Sequence, residues 1–176
     1  MACDFFQTPT ARFRCLTGFV VMELGRRRLL AIDVTSNPTA AWAAEGLRAG
    51  VDGMPQATEY LIRDRDAIYG LEFREAAKAL GLQEMVTAYR SPKMNAHCER
   101  LIGTLHRDLL DHVIVMGECY AQRLLTEYAD YYNTERCHQA TGGEPPKPAL
   151  RLVTGEGGVV GRSVLYGLHH TYRRAA

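Results

Sequence analysis

Asp4, Asp64 and Glu99 are residues whose types and settings could do metal-assisted chemistry. Asp4 precedes Phe5-Phe6 in a segment suited to a strand, Asp64 follows the short apolar run Glu59 to Ile62, and Glu99 sits on a helical stretch. Acidic residues at the ends of neighbouring strands, joined by one from an adjacent helix, can converge on one point. Three carboxylates that close repel one another and resist ionisation. A divalent cation relieves this, and a hard, all-oxygen donor set selects Mg²⁺ or Mn²⁺. Two such ions can activate a water or hydroxyl and stabilise the leaving oxygen of a phosphodiester. Spacing alone does not single out these three among the 20 acidic residues, and Asp33 and Asp66 compete for two of the places.

The elements that must position them follow from periodicity. The stretch Arg90 to Val113 reads as a helix: Ser91 suits an N-cap and Pro92 the first helical position. Leu101, Ile102, Leu105, Leu109 and Val113 recur at helical spacing as an apolar face. Asn95, Glu99, Gly103 and His106 form a second, polar stripe, and the small Gly103 leaves room for a large group to approach. Upstream, Phe13 to Leu24 and Leu29 to Val34 read as hairpin strands about a Gly25-Arg26 turn. Asn37-Pro38 announces a helix running to Ala49, Phe73 to Leu80 a shorter one stopped by Gly81, and Glu84 to Ala88 a strand. Glu118 to Asn133 is a long helix with Tyr128 and Tyr132 on its apolar face, and Val159 to Tyr172 is weakly strand-like. Strands first, then alternating helices and strands, predict a mixed sheet with helices on its faces. The opening meander and the lack of GxGxxG exclude a doubly wound dinucleotide fold.

The 176 residues suit one domain, 47% hydrophobic and 23% charged. No apolar run is long enough to span a bilayer, and no signal-peptide pattern opens the chain, so a cytoplasmic protein is expected. The net charge of +1 does not announce a nucleic-acid partner, yet charge is uneven: Arg26, Arg27 and Arg28 are consecutive, and the segment from Pro145 onward is basic. Five cysteines without a CxxC pair argue against both a disulfide framework and a zinc ribbon.

Several ordered motifs resemble the integrase catalytic core of bacterial insertion-sequence transposases, of the D-D-E type within the ribonuclease-H-like superfamily. Asp4-Phe5-Phe6 resembles the first-aspartate strand, and Arg63 to Gly70 (RDRDAIYG) the second-aspartate motif. Ser91-Pro92-Lys93-Met94-Asn95 with Glu99 to Leu105 resembles the third, and Tyr131-Tyr132-Asn133 through Arg136 and His138 the closing signature. The offset of 35 between Asp64 and Glu99 agrees with the family to within a residue.

The resemblance implies a ribonuclease-H-like mixed sheet, a three-strand meander plus further strands with helices on both faces. It places the catalytic core at 1–145 and a basic C-terminal tail, weakly structured or a short strand, at 146–176. It implies DNA integration or transposition by a polynucleotidyl transferase that cleaves and transfers DNA strands. Asp4, Asp64 and Glu99 would be both the catalytic residues and the ligands of Mg²⁺ or Mn²⁺, two ions in all. Arg90, Lys93, Asn95, Arg100, His106 and Arg107 are candidates for DNA contact, Asn95 having an ordinary helix-start hydrogen bond as its alternative role. Expected partners are DNA and further copies of the chain, with no membrane and a nucleoid-associated, bacterial location. Met1 lies three residues before Asp4, so a shortened, fraying first strand is expected, in a chain that looks N-terminally truncated. The competing expectation is an inactive remnant that at most binds DNA or dimerises.

Overall fold

The computed structural model describes residues 1–54, 58–88, 95–147 and 157–175. Its centre is a five-stranded mixed sheet of β1 (Ala2–Pro9), β2 (Cys15–Met22), β3 (Leu29–Thr35), β4 (Tyr60–Arg63) and β5 (Gln83–Val86), ordered β3-β2-β1-β4-β5. The first three strands form the expected antiparallel meander, while β4 and β5 run parallel to β1. The connection from β3 to β4 passes through α1 (Ala40–Asp52) and that from β4 to β5 through α2 (Leu71–Ala79).

Alternation along β1 divides the core in two. Ala2 and Phe6 face one side, where α3 (Ala96–Asp108) and α4 (Glu118–Thr134) pack through Cys98, Leu101, Leu105, Leu124, Leu125 and Tyr128. Cys3 faces the other side, where Leu47 of α1 and Phe73 of α2 close over Phe19 and Leu61. Gly46 and Gly50 bring α1 close to the sheet: a Cβ on either would lie 2.7 Å from Phe19 or Val21, respectively.

β1 departs from the shortened, fraying strand that the sequence suggests. It runs eight residues in register with β2, from Ala2 opposite Met22 to Pro9 opposite Cys15. Met1 is itself buried; its carbonyl accepts from Ile62 N–H at 3.0 Å and its ammonium donates to the Tyr60 carbonyl at 2.8 Å. Pairing with neighbours on both sides replaces the contacts that a longer lead-in was expected to supply.

Other boundaries shift for local reasons. The Thr39 hydroxyl, not Asn37, caps α1 by accepting from Trp42 N–H. The expected cap Ser91 and the following Pro92 lie outside the described residues; within them α3 begins at Ala96, with Asn95 in the cap position. It ends at Asp108, where Leu109 leaves helical geometry, instead of continuing to Val113.

The Tyr-Tyr-Asn segment closes the fold. The Asn133 amide donates to the Leu29 carbonyl at 2.8 Å and accepts from its N–H at 2.9 Å. Gln122 repeats the pattern, donating to the Ile32 carbonyl and accepting from Val34 N–H. Two side-chain amides on α4 thus occupy the free edge of β3, which would otherwise invite pairing with another chain. Tyr132 packs edge-on against His138, and Arg136 is fixed by Asp108 at 2.7 Å. Beyond residue 156, β6 (Val159–Val164) and β7 (His169–Arg174) form a separate antiparallel hairpin, anchored where buried Leu165 joins the core beside α4. All five cysteines are free thiols.

Candidate active site

The site forms where β1, β4 and the start of α3 meet. Ala2 pairs with Ile62 in parallel register, and both contact the core on the α3 side. Two residues further along each chain stand Asp4, within β1, and Asp64, just past the end of β4. Asp64 leaves β4 in a tight turn: its Oδ1 accepts from Asp66 N–H at 3.2 Å, and Asp66 Oδ1 accepts from Ile68 N–H at 2.8 Å. Behind this turn, buried Arg63 crosses to Glu84 of β5 and lies over the Tyr69 ring, which fixes the end of β4 from the opposite face.

Asp4 is gripped from two directions. Its Oδ1 accepts from Phe5 N–H at 2.9 Å and its Oδ2 from Asn95 Nδ2 at 2.9 Å. The same amide donates to the Cys3 carbonyl at 3.3 Å, while Asn95 Oδ1 is buried without a hydrogen-bond partner among the described residues. Burial, then the charges of Asp64, Glu99 and Asp66, push the Asp4 carboxyl up to about 7, against a partial offset from the Phe5 N–H bond. The three expected carboxylates therefore share one electrostatic neighbourhood. Asp66 joins it, although its oxygen is engaged in the turn. Asp33 does not: it lies on β3, two strands from β1, and accepts from Trp42 Nε1 at 3.0 Å.

Hard oxygen donors suit a divalent cation, and a carboxyl raised by burial and then by acidic neighbours, as Asp4 is, is one that a cation would relieve. The fit is one of donor type and location. Among the described residues no three acidic, His or Cys side chains close around a single point. Asp4, Asp64 and Glu99 are the residues that could hold an ion, Glu99 from an exposed position on α3.

The remaining expected contacts spread along α3. Arg90 and Lys93 lie outside the described residues. Asn95 is only 5% exposed and is occupied with Asp4. His106 meets the Phe6 ring edge-on and approaches Asp111 at 3.5 Å. The room left by Gly103 is taken by Arg107, whose guanidinium would lie 3.2 Å from a Cβ there and donates to Thr104. Arg100 points away from the carboxylates, into a basic cavity shared with Arg27. The bond between Asn95 and Asp4 spans 91 residues and carries no spacing signal; the amide's place one turn before Glu99 was its only trace.

This sheet order, with helices on both faces, is the ribonuclease-H-like fold of integrase catalytic cores. The catalytic core of the integrase of human T-cell lymphotropic virus 2, solved with magnesium in a dimeric form, superposes with a TM-score of 0.64 at 10% identity, covering 82% of this chain and 90% of that one. The bovine immunodeficiency virus integrase core gives 0.56 at 17% identity, with the same coverage.

Residues 80–146 match the integrase core domain family. Among sequence relatives, the putative transposase InsD of insertion element IS2E from Escherichia coli is 31% identical over 104 residues, covering 59% of this chain and 48% of InsD. InsD of insertion element IS2A/D/F/H/I/K gives the same identity with 35% of its length covered, so the chain spans half or less of these relatives. The chain is thus related in sequence to insertion-element transposases and in fold to integrase cores.

Proposed function

We propose that the chain is a transposase catalytic core that cleaves DNA and joins the freed 3′-hydroxyl to a target strand. The observation that supports it best is the grip of Asn95 on Asp4 one turn before Glu99, with Asp64 just past the end of the strand that pairs with β1. Asp4, Asp64 and Glu99 would hold two Mg²⁺ or Mn²⁺ ions, which supply Lewis acidity to a phosphodiester and lower the pKa of an attacking water or hydroxyl.

The chain's own residues do the positioning. Asn95 orients Asp4 so that one carboxylate edge stays directed at the site, and Arg63 with Glu84 keeps the Asp64 turn at a fixed height. Both reactions are in-line displacements, in which alignment of the attacking oxygen, the phosphorus and the leaving oxygen accounts for much of the rate. Glu99 would join the donor set from a separate element, α3. Arg90, Lys93, Arg100, His106 and Arg107 would contact DNA phosphates along the same helix. A homo-oligomer fits the reaction, because two element ends must be brought together.

The test is cleavage of a labelled duplex in Mg²⁺ or Mn²⁺ by the wild-type chain, Asp64→Asn and Glu99→Gln. Metal-dependent cleavage that both substitutions abolish supports the reading. Cleavage retained by either variant removes that residue from the donor set, and a wild-type chain that binds DNA without cleaving it favours the inactive-remnant alternative.

A further inference from the structure

The flank of α3 next to the carboxylate-bearing stripe holds a cavity of about 350 Å³ between α3, the end of α4 and the β2–β3 turn. Arg27, His97, Arg100, Thr104, His138 and Gln139 line it, along with Arg136, and among the described residues no acidic one does. Arg136 is neutralised by Asp108. The side chains of Arg27 and Arg100 have neither an ion pair nor a hydrogen bond among the described residues. Two unpaired guanidinium groups therefore face one concave, polar space.

The three consecutive arginines of the β2–β3 turn separate here. Arg26 is exposed, Arg28 donates to the Gly53 carbonyl, and Arg27 turns into the cavity. Arg27 does so from a left-handed backbone conformation, φ 62°, which costs a residue with a Cβ more than it would cost glycine. A positively charged concavity with hydroxyl and amide donors at its rim matches a phosphate oxyanion, and paired guanidinium forks match it with directed bonds.

We infer that this cavity is a phosphate site for the DNA backbone, separate from the carboxylate site and offset from it around α3. It rests on the reading of the chain as a DNA-acting core. Glu99 and Arg100 are consecutive on the helix, so their side chains diverge by about 100°. A duplex lying along α3 meets the metal-binding stripe with one phosphate and the Arg27–Arg100 cavity with another. The cavity adds affinity and fixes how the strand lies without touching the reacting atoms.

The test is duplex binding by fluorescence anisotropy in EDTA, with salt varied, for the wild-type chain, Arg27→Asn, Arg100→Gln, the double variant, and Arg26→Gln as a charge-matched control. Asparagine is chosen at 27 because it tolerates positive φ. Each lost phosphate contact lowers the slope of log affinity against log salt by about 1, so the double variant falls by about 2 and Arg26→Gln by about 0. Arg100→Lys keeps the charge and recovers most of the slope; unchanged thermal melting of each variant excludes misfolding as the cause. Equal losses in Arg26→Gln and the cavity variants, or unchanged slopes in the cavity variants, overturn the site. If inorganic phosphate protects the wild-type chain and not the double variant from thermal unfolding while DNA slopes stay equal, the cavity takes a small anion, and the DNA assignment falls. A wild-type chain that binds no duplex refutes the DNA reading itself, whereas wild-type binding with unaltered variants refutes the cavity alone.

Discussion

Asp4→Asn tests the crowded carboxylates through stability, with no need for a turnover assay. In the metal-free protein the Asp4 carboxyl is pushed up to about 7 from an ordinary 3.8, chiefly by burial and then by Asp64, Glu99 and Asp66. A group whose pKa is higher in the folded than in the unfolded chain favours the fold while it is protonated. That contribution is complete below the unfolded value and is lost as pH rises through about 7. At about 1.36 kcal/mol per pH unit the span from 3.8 to about 7 corresponds to about 4 kcal/mol. Asp4 is partly exposed, and solvent screening brings the usable figure to about 2 kcal/mol. For a chain of this size that is about 4–8 °C in melting temperature. Asparagine keeps the side chain's size and an oxygen to accept from Phe5 or Asn95, and it removes the charge. The variant therefore melts about 4–8 °C above wild type at about pH 8 in EDTA, and the gap closes toward about pH 4. Adding Mg²⁺ or Mn²⁺ at the higher pH raises the wild-type melting temperature and leaves Asp4→Asn unmoved. Thermal melting followed by circular dichroism reads both effects. A variant that melts below wild type at the higher pH, or a gap independent of pH, refutes the reasoning.

Four further outcomes follow from the geometry. Asn95→Asp sets a carboxylate against Asp4 in place of its donor; metal-free stability falls by about 1–3 kcal/mol at neutral pH, read by urea unfolding, and divalent cations restore part of it. Asn133→Ala leaves the Leu29 N–H and carbonyl without their amide partner and costs about 1–3 kcal/mol, and the exposed β3 edge shows as concentration-dependent association in sedimentation. Gly46→Val drives branched atoms into Phe19 and costs about 1–3 kcal/mol, with the helix–sheet contact visibly loosened in hydrogen exchange. Cys15, Cys119 and Cys137 react with a thiol reagent in the native protein while buried Cys3, pushed up to about 12, and Cys98 react only on denaturation, a split that counting of modified thiols by mass spectrometry checks.

Much of this arrangement was legible in residue patterns. The alternation of Leu29 to Val34 and the helical spacing of Leu101 and Leu105 gave a meander followed by an amphipathic helix, and both exist. Asp4, Asp64 and Glu99 were nameable only through ordered motifs, because 20 acidic residues with simple spacing leave many triplets open. What patterns could not carry were contacts across long loops. The grip of Asn95 on Asp4 and that of Asn133 on Leu29 depend on tertiary register. β1 shows the same limit from the other side: an eight-residue strand with Asp4 inside it is stabilised by two neighbours that the local sequence does not mention. The polar stripe on α3 is expected to leave room for a large group at Gly103, yet Arg107 already covers that glycine and the Asn95 amide is buried.

The parallel pairing of Ala2 with Ile62 has a consequence for how this chain can tolerate insertions and deletions. Two of the three carboxylates stand at fixed counts along paired backbones, and side chains alternate faces at every residue. One residue removed between Thr58 and Ile62 would turn Asp64 to the face now held by Arg63, and would bring a guanidinium toward Asp4. Glu99 is under no such parity rule, because its helix is docked by its own apolar face. Length variation among functional relatives is therefore expected to be absent between Ala2 and Asp4 and along β4.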